Sequence, residues 1–544
     1  MCGVTSLAFS ASLWAVDLNS PLVRETVQRV RPRTIRAHMK FLADDLLEGR
    51  GTGTRGFDLA ARYVAAQFDL MGLEPAGTLG FEQQVPFRRS LVDLVKSSLA
   101  LERNGATTEL VRGTDFVLSP TWSAAETFVT APVVFVGFGV TAPEKGYDDY
   151  SSVDVRGKIV VYLAGAPEKF AGYLRAHHAS SGEKARNAAA HGAVGMIMIR
   201  RPVDEQRTGW DRVVRQSTHS RMRWIDLDGT LVNSFPMIQG QATLSRSGAE
   251  KIFAGSPRSL AQVFSTANEG RPQAFSLAGR VTLKTVNEHG SVRSPNVAAV
   301  LPGSDPVLKH EYLVYSAHLD HLGIGVPVAG DSIYNGAVDN GSGIAGMLEV
   351  ARMFTELPER PRRSIIFLAV TGEESGLLGS DFFAHHPTVP LSSIVANLNI
   401  DMVNMLYQPL DLVALGADNS TLGRVTRSAA AVLKLEVSPD PKPEENYFVR
   451  SDQYSFIKMG IPALALDAGM KTSDPKIDTG ALAREWTRSK YHAPQDDLNQ
   501  PMNYEAVATI MKANFLVGYE VANATERPRW NEGDYFGVKY GRGK

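Results

Sequence analysis

Six side chains of the kinds that bind metal ions lie between residues 318 and 492, in five short motifs. They are His318, Asp339, the adjacent Glu373 and Glu374, Asp401, and His492. Imidazole nitrogens and carboxylate oxygens are ligands of borderline cations such as zinc. Two zincs that share a bridging carboxylate need five such residues, and a hydrolase needs one further carboxylate as a base. The set therefore predicts a two-metal hydrolytic site.

From Asn296 onward, apolar strand patterns alternate with helical patterns, which predicts a doubly wound α/β sheet. The predicted strands are 312–317 before His318, 365–370 before Glu373 and Glu374, and one from Asn397 that ends near Asp401. Active sites of open α/β sheets lie beyond the carboxyl ends of the strands. We therefore expect these candidates to converge on one edge of the sheet.

Two of the acidic residues have a second interpretation. Asp339 precedes a predicted helix that starts near Gly341, so by itself it is more typical of a helix N-cap, and both roles can coexist. Asp320 stands two residues after His318, which places both side chains on one face of an extended chain. We expect its carboxylate to hold the far imidazole nitrogen of His318 and so to fix the tautomer.

Composition limits the classes of function. The 544 residues suggest two or three domains, and 44% hydrophobic with 21% charged residues is ordinary for a globular protein. A net charge of −1 gives no indication of nucleic acid or of an anionic membrane as partner. Cys2 is the only cysteine, which excludes an internal disulfide and a cysteine-based metal site. No apolar run reaches the ~20 residues of a membrane-spanning helix.

The first residues resemble part of a signal peptide. An apolar stretch of small residues, 4–16, ends in a sequence similar to a cleavage site, although no basic residues precede it. The alternative is a buried or disordered N-terminal segment. We predict a signal or disordered segment over 1–20, and a secreted or periplasmic location.

The middle of the chain predicts a separate compact unit. Strands over 133–140, 158–163 and 193–199, with a helix over 183–191, form a β-β-α-β pattern without a catalytic cluster. The Arg-rich stretch 200–220 is predicted as a loop or lid. The domain boundaries that we expect are 21–124 for the N-terminal part of the main domain, 125–283 for the insert, 284–525 for the main part, and 526–544 for an irregular tail.

With these motifs in hand, the chain resembles the co-catalytic dizinc aminopeptidases related to aminopeptidase Y and glutamate carboxypeptidase. The likeness covers 296–523 and the N-terminal helices. The insert resembles a protease-associated domain through Gly146-Tyr147-Asp148-Asp149-Tyr150, which leads to Gly157-Lys158-Ile159-Val160. The resemblance implies an α/β fold with a doubly wound mixed sheet of the zinc-peptidase type and a smaller inserted β/α domain.

The resemblance also implies roles for individual residues, with two zinc ions as cofactors. Asp339 would bridge the metals, His318 and Asp401 would complete one zinc, Glu374 and His492 would complete the other, Glu373 would be the general base, and Tyr491 would stabilise the oxyanion. The segment 448–456 is similar to a family segment near the substrate pocket, which suggests Arg450 and Asp452 as substrate-binding residues. Gln453 stands where the usual form of that segment has histidine.

The function implied is zinc-dependent removal of N-terminal residues from peptide substrates. A carboxypeptidase or dipeptidase on the same scaffold is the first alternative. Carboxylates near the site would receive an α-amine, whereas arginine or lysine would receive an α-carboxylate, and Arg450 keeps the alternative open. A one-zinc glutaminyl cyclase-like transferase and a non-catalytic ectodomain are less consistent with a complete set of ligands and base. The sequence does not predict the oligomeric state.

Overall fold

The computed structural model describes residues 16–270, 273–445 and 447–541. The predicted signal-like stretch therefore lies, apart from Val16, outside the described residues.

The helices and strands follow one another along the whole described chain. The helices are α1 Pro21–Gln28, α2 Pro32–Leu42, α3 Arg55–Leu70, α4 Gly172–Ala179, α5 Ser181–Ala190, α6 Pro202–Arg207, α7 Trp210–Gln216, α8 Arg246–Phe253, α9 Leu260–Asn268, α10 Gly343–Thr355, α11 Leu378–His385, α12 Leu422–Leu433, α13 Gln453–Lys458, α14 Thr479–Ser489, α15 Tyr504–Asn523 and α16 Tyr535–Tyr540. The strands are β1 Glu74–Pro75, β2 Glu82–Val92, β3 Ser98–Arg103, β4 Ala106–Glu109, β5 Phe116–Ser119, β6 Glu126–Phe135, β7 Thr141–Ala142, β8 Tyr147–Asp148, β9 Ile159–Leu163, β10 Gly195–Ile199, β11 Arg221–Trp224, β12 Gln241–Leu244, β13 Phe275–Leu301, β14 Tyr312–His318, β15 Gly323–Val328, β16 Asp331–Tyr334, β17 Ser364–Val370, β18 Ile394–Asn399, β19 Asp411–Leu415, β20 Glu436–Ser438 and β21 Ala463–Ala468.

A mixed sheet forms the larger domain. Its strands lie in the order β11-β2-β13-β17-β14-β18-β21-β19-β20. The central four, β17, β14, β18 and β21, are parallel, whereas β2 and β13 on one side and β19 on the other pair antiparallel with their inner neighbours. The parallel central strands and the antiparallel flanking strands together make this a mixed sheet, as the family resemblance implied.

Both faces of this sheet are covered by helices. Ile365, Phe367 and Ala369 of β17 pack on one face with helices that include α2, α3, α10 and α15. Ile366 and Leu368 point to the other face, where α11, α13 and α16 contribute apolar side chains. Successive residues of a strand face opposite sides, so a continuous apolar run is what a strand buried on both faces requires. The doubly wound arrangement is confirmed.

The insert has a sheet of its own, in the order β4-β3-β13-β6-β9-β10-β12-β5. The long strand β13 belongs to both sheets. Its residues 275–286 pair with β6, and its residues 287–297 pair with β2. One continuous strand therefore joins the insert to the larger domain.

The insert begins earlier in the chain than the expected boundary at residue 125. Strand β3 pairs with β13, and β5 pairs with β12, so both belong to the insert's sheet. Alternating side chains predict that a strand exists, but not which sheet it joins, because that depends on partners distant in sequence.

Two segments that were predicted to be irregular contain helices. The stretch 200–220 holds α6 and α7, and the C-terminal tail holds α16. Asp534 begins α16 as an N-cap, since its Oδ1 accepts hydrogen bonds from the backbone N–H groups of Phe536 and Gly537. Phe536 is fully buried, so packing stabilises a helix too short to form alone.

None of the helices among the described residues is long and apolar enough to cross a membrane.

Candidate metal centre

The predicted ligands meet at the edge of the sheet where its parallel strands end. His318 is the last residue of β14, and Asp401 lies two residues beyond β18. Glu373 and Glu374 follow β17 within four residues. Strands β14 and β17 are in register, with His318 opposite Val370. Their carboxyl ends therefore bring together residues that are far apart in sequence.

His318, Asp339 and Asp401 form a first group of donor atoms. His318 Nε2 lies 3.1 Å from Asp401 Oδ1 and 3.2 Å from Asp339 Oδ1. The side chains of His318 and Asp339 are 1% and 4% exposed. One nitrogen and two oxygens thus face a common point, as a zinc ligand set does.

His492, Asp339 and Glu374 form a second group next to the first. His492 Nε2 lies 3.2 Å from Asp339 Oδ2 and 3.1 Å from Glu374 Oε2. Asp339 therefore turns one carboxylate oxygen to each histidine. That is the geometry a carboxylate needs in order to bridge two cations.

The charges in this cluster fit a site for cations. Burial raises the pKa of Glu373 well above its ordinary value, and Glu374 adds to this, although His318 opposes it. Burial would lower the pKa of His492, but Glu374 and Asp339 outweigh it and raise the pKa to about 9. Without metal, therefore, protons balance the buried carboxylates. Zinc would displace those protons, and the nitrogen and oxygen donors suit it.

The backbone of Asp339 is held by Asp496, a residue that sequence reasoning missed. The Asp496 carboxylate accepts hydrogen bonds from the backbone N–H groups of Val338 and Asp339 at 3.0 Å each, and from the Gln500 side chain at 2.9 Å. Asp496 is fully buried. It therefore fixes the Asp339 loop from the segment that also carries His492.

Asp339 does not cap helix α10. Asn340 takes that role, since its Oδ1 accepts a hydrogen bond from Gly343 N at 2.9 Å and another from Met402 N at 3.1 Å. Its Nδ2 donates to the Ile400 carbonyl at 3.0 Å. The neighbouring amide thus caps the helix and ties it to the Asp401 loop, which leaves both oxygens of Asp339 free to face the histidines.

The carboxylate of Asp320 does not hold the imidazole of His318, which corrects the sequence prediction. His318 Nδ1 lies 3.0 Å from the backbone carbonyl of Asp320. The carboxylate accepts instead from Glu373 N at 3.1 Å, Glu374 N at 3.3 Å and Thr52 Oγ1 at 3.0 Å. Asp320 therefore positions the turn that carries Glu373 and Glu374. The carbonyl still fixes the His318 tautomer, because a carbonyl accepts only from a protonated Nδ1.

His321 is a second residue that the sequence interpretation missed. Its Nδ1 lies 2.7 Å from Glu374 Oε1 and 4.0 Å from Asp339 Oδ2, and its side chain is buried. Glu374 thus offers Oε2 to His492 and Oε1 to His321. The spacing His318-Leu319-Asp320-His321 could have indicated it, because a second imidazole in the same loop reaches the same site.

Tyr491 and Arg450 line a cavity of about 200 Å³ beside the candidate ligands, which also has Glu373 in its wall. Arg450 Nη2 donates to Tyr491 Oη at 3.0 Å, and the Tyr491 ring stacks on His492 with centroids 3.9 Å apart. Burial raises the pKa of Tyr491 well above its ordinary value, although Arg450 opposes this. The hydroxyl thus stays protonated and able to donate.

Asp452 is not among the residues that line the cavity beside Arg450 and Tyr491. Its side chain is fully buried, and its role in substrate binding stays a prediction. Burial raises its pKa to about 7, although His318 opposes this. The next residue, Gln453, bonds inward as well, accepting from Asn399 Nδ2 at 3.0 Å and donating to the Phe448 carbonyl at 2.9 Å. Gln453, the first residue of α13, therefore forms hydrogen bonds within the protein interior, close to the end of β18.

Comparison with known proteins agrees with this geometry. The model of peptidase family M28 matches residues 296–517, and the PA domain model matches residues 129–220. A "Probable zinc metalloprotease" of Pyrenophora teres is 37% identical over 114 residues, which cover 21% of this chain and 23% of that protein. "Leupeptin-inactivating enzyme 1" of Streptomyces exfoliatus is 28% identical over 228 residues, 40% of this chain and 46% of that protein. The chain thus spans less than half the length of either relative.

A solved structure extends the likeness to almost the whole chain. The aminopeptidase from Aneurinibacillus sp. strain AM-1 superposes with a TM-score of 0.55 over 93% of this chain and 97% of its own, at 20% identity. At that identity the likeness concerns the fold. The first family model covers the sheet edge with its candidate ligands, and the second covers part of the inserted sheet. Residues 296–517 are thus similar to peptidase family M28, and residues 129–220 are similar to a PA domain.

Proposed function

We propose that this protein is a zinc-dependent aminopeptidase that binds two zinc ions and removes the N-terminal residue of peptides. The observation that carries the proposal is Asp339, whose two oxygens face two histidines, each accompanied by a second carboxylate. His318 and Asp401 would complete one site, and His492 and Glu374 the other. The name of one relative, "Probable zinc metalloprotease", agrees with peptide substrates.

Glu373 is the proposed general base. Zinc, when bound, polarises a peptide carbonyl and makes water acidic near neutral pH. Glu373 lies in the cavity wall next to a ligand, and its backbone is held by Asp320 at 3.1 Å. Its carboxylate accepts the proton of the attacking water and delivers it to the departing amine. Burial and the charge of Glu374 raise the pKa of Glu373, although His318 opposes this, and a raised pKa brings a general base closer to the working pH.

A carboxylate in the cavity wall could receive an amine terminus, although Lys442 lies in the same wall. Asp467 lines the cavity, and its Oδ1 accepts hydrogen bonds from Ala468 N at 2.7 Å and Asn404 N at 3.3 Å. Burial raises its pKa to about 6, so a bound ammonium would stabilise its charged form. Arg450, the candidate for a carboxylate terminus, lies 3.8 Å from Glu445 Oε2, which already balances part of its charge.

A substrate screen tests the proposal. Four matched peptides would carry a free or acetylated amine and a free or amidated carboxyl terminus, with zinc restored after chelation. We expect cleavage of both free-amine peptides, loss of activity on acetylation, and no activity without zinc. Cleavage that depends on the free carboxyl terminus would instead establish the carboxypeptidase alternative.

Tyr491 is proposed to stabilise the oxyanion. Its hydroxyl lies in the cavity wall and receives a hydrogen bond from Arg450, which strengthens it as a donor. Tyr491→Phe should lower kcat by ~10²–10³, the effect of removing one oxyanion donor, with KM changed less. Zinc content measured by elemental analysis should stay at the wild-type value. Nearly full kcat in the variant would remove Tyr491 from the mechanism.

A secreted or periplasmic location stays part of the proposal, based on the apolar stretch near the N-terminus. Fractionation of cells that express the full chain, with N-terminal sequencing of the product, would test it.

A further inference from the structure

The inserted domain reaches the loop that carries His492. Helix α7 of the insert lies against the C-terminal end of α14, and Arg212 makes the contact. Its guanidinium donates to the carbonyls of Arg488 at 2.7 Å and Thr487 at 3.3 Å. Carbonyls in the last turn of a helix have no partner within the helix, so the arginine satisfies groups that otherwise need water. Helix α7 is thereby fixed to the segment that runs directly into Tyr491 and His492.

The side chain at the end of α7 contacts the ring of His492. Gln216 Nε2 lies 3.4 Å from His492 Nδ1. The other ring nitrogen, Nε2, faces Asp339 and Glu374, so it is the one that a metal would use. A neutral imidazole that binds metal through Nε2 carries its proton on Nδ1 and must donate there. The side-chain amide of Gln216 must then point its oxygen, rather than its nitrogen, at the ring. Rotating the amide group by 180° achieves this and leaves the shape of the side chain unchanged.

His492 depends on such support from its neighbours. Its backbone has φ 55°, in the left-handed region that residues other than glycine seldom occupy. Residues held in this region persist where surrounding contacts determine them. His318 has the carbonyl of Asp320 at its second nitrogen, within its own loop. For His492, the group at the corresponding position comes from another domain.

We propose that Gln216 of the inserted domain is a positioning residue for the metal ligand His492, so that the insert contributes a supporting residue to the metal centre. The inference rests on the proposed zinc site. The contact of Gln216 with His492 would give the insert a role distinct from substrate selection. The Gln216 amide oxygen would fix both the tautomer and the plane of the imidazole, as outer ligands of metal-bound histidines do.

Two variants of equal length test this in the full chain. Gln216→Met keeps the size of the side chain but removes the acceptor, whereas Gln216→Glu keeps an acceptor. Zinc affinity would be measured on apoprotein by competition with a chromophoric chelator. We expect Gln216→Met to weaken one of two zincs by ~10–100-fold, the usual effect of losing an outer ligand, and Gln216→Glu to bind both within a few-fold of wild type.

The thermal midpoint of each apoprotein serves as the control for folding, and we expect it to be unchanged. Equal zinc affinity in Gln216→Met and wild type would overturn the inference while leaving the zinc site intact. An equal loss of zinc affinity in Gln216→Met and Gln216→Glu would also overturn it, and so would weaker binding of both zincs. In either case the loss of affinity could not be assigned to the missing acceptor. A wild-type protein that binds no zinc would contradict the proposed function itself.

Discussion

Replacing Glu373 by glutamine should lower kcat by ~10²–10⁴ while both zincs stay bound, because a positioned general base contributes on that scale. The variant keeps the size and the backbone contacts of the residue, including the hydrogen bond from its N–H to Asp320. It loses only the ability to accept a proton. The loss corresponds to about 3–5 kcal/mol in the activation barrier. Steady-state kinetics with a free-amine peptide, together with elemental analysis, measures both quantities.

Glu374→Gln is the matched control for that experiment. The two glutamates are adjacent and are held by the same Asp320 carboxylate, but only Glu374 has an oxygen 3.1 Å from His492 Nε2. We therefore expect Glu374→Gln to lose zinc as well as activity. Near-normal turnover in Glu373→Gln, or zinc loss in that variant, would show that the roles of base and ligand are assigned to the wrong residues.

Replacing Asp339 by asparagine should weaken both zinc sites, whereas His492→Ala should weaken one. Asparagine puts a neutral amide where one carboxylate oxygen faces His318 and the other faces His492. An amide nitrogen is not a ligand for zinc, and the charge shared by the two cations is lost. Each affinity should fall by more than the roughly 10–100-fold that outer residues contribute. Zinc titration of the two apoproteins measures this.

His492→Ala is the single-site comparison in this titration, since its ring nitrogen faces only Asp339 and Glu374 among the candidate ligands. The loss of one equivalent in both variants would contradict a shared carboxylate. Activity should be low in both, so the distinction depends on the number of zincs bound.

The candidate ligands could be predicted because their positions are local properties of the sequence. His318, Asp401 and the two glutamates follow apolar strands, Asp339 precedes a helix, and strand ends in a parallel sheet converge, whereas His492 lies in a loop after a helix. The doubly wound α/β sheet followed from the same patterns, whereas the mixed character of the sheet was implied by the family resemblance. The start of the insert did not follow from these patterns, because β3 and β5 pair with β13 and β12, which are distant in sequence.

The residues that support the ligands could not be predicted from local patterns. Gln216 and His492 are 276 positions apart in the chain, and Asp496 and Asp339 are 157 apart. Arg50, buried in the N-terminal part, donates to the carbonyls of Leu319 and Gly336 at 2.9 Å each. An arginine, a glutamine or an aspartate carries no signal of such a partner. These contacts follow from the packing of whole domains, which only the structure provides.

The central claim is that one aspartate joins two zincs at this sheet edge, and anomalous X-ray diffraction at the zinc absorption edge tests it most directly. We expect two peaks in crystals of the zinc-loaded protein. One should lie within about 2.0–2.2 Å of His318, Asp339 and Asp401, and the other within that distance of Asp339, Glu374 and His492. A single peak, or two peaks of which only one contacts Asp339, would contradict the account.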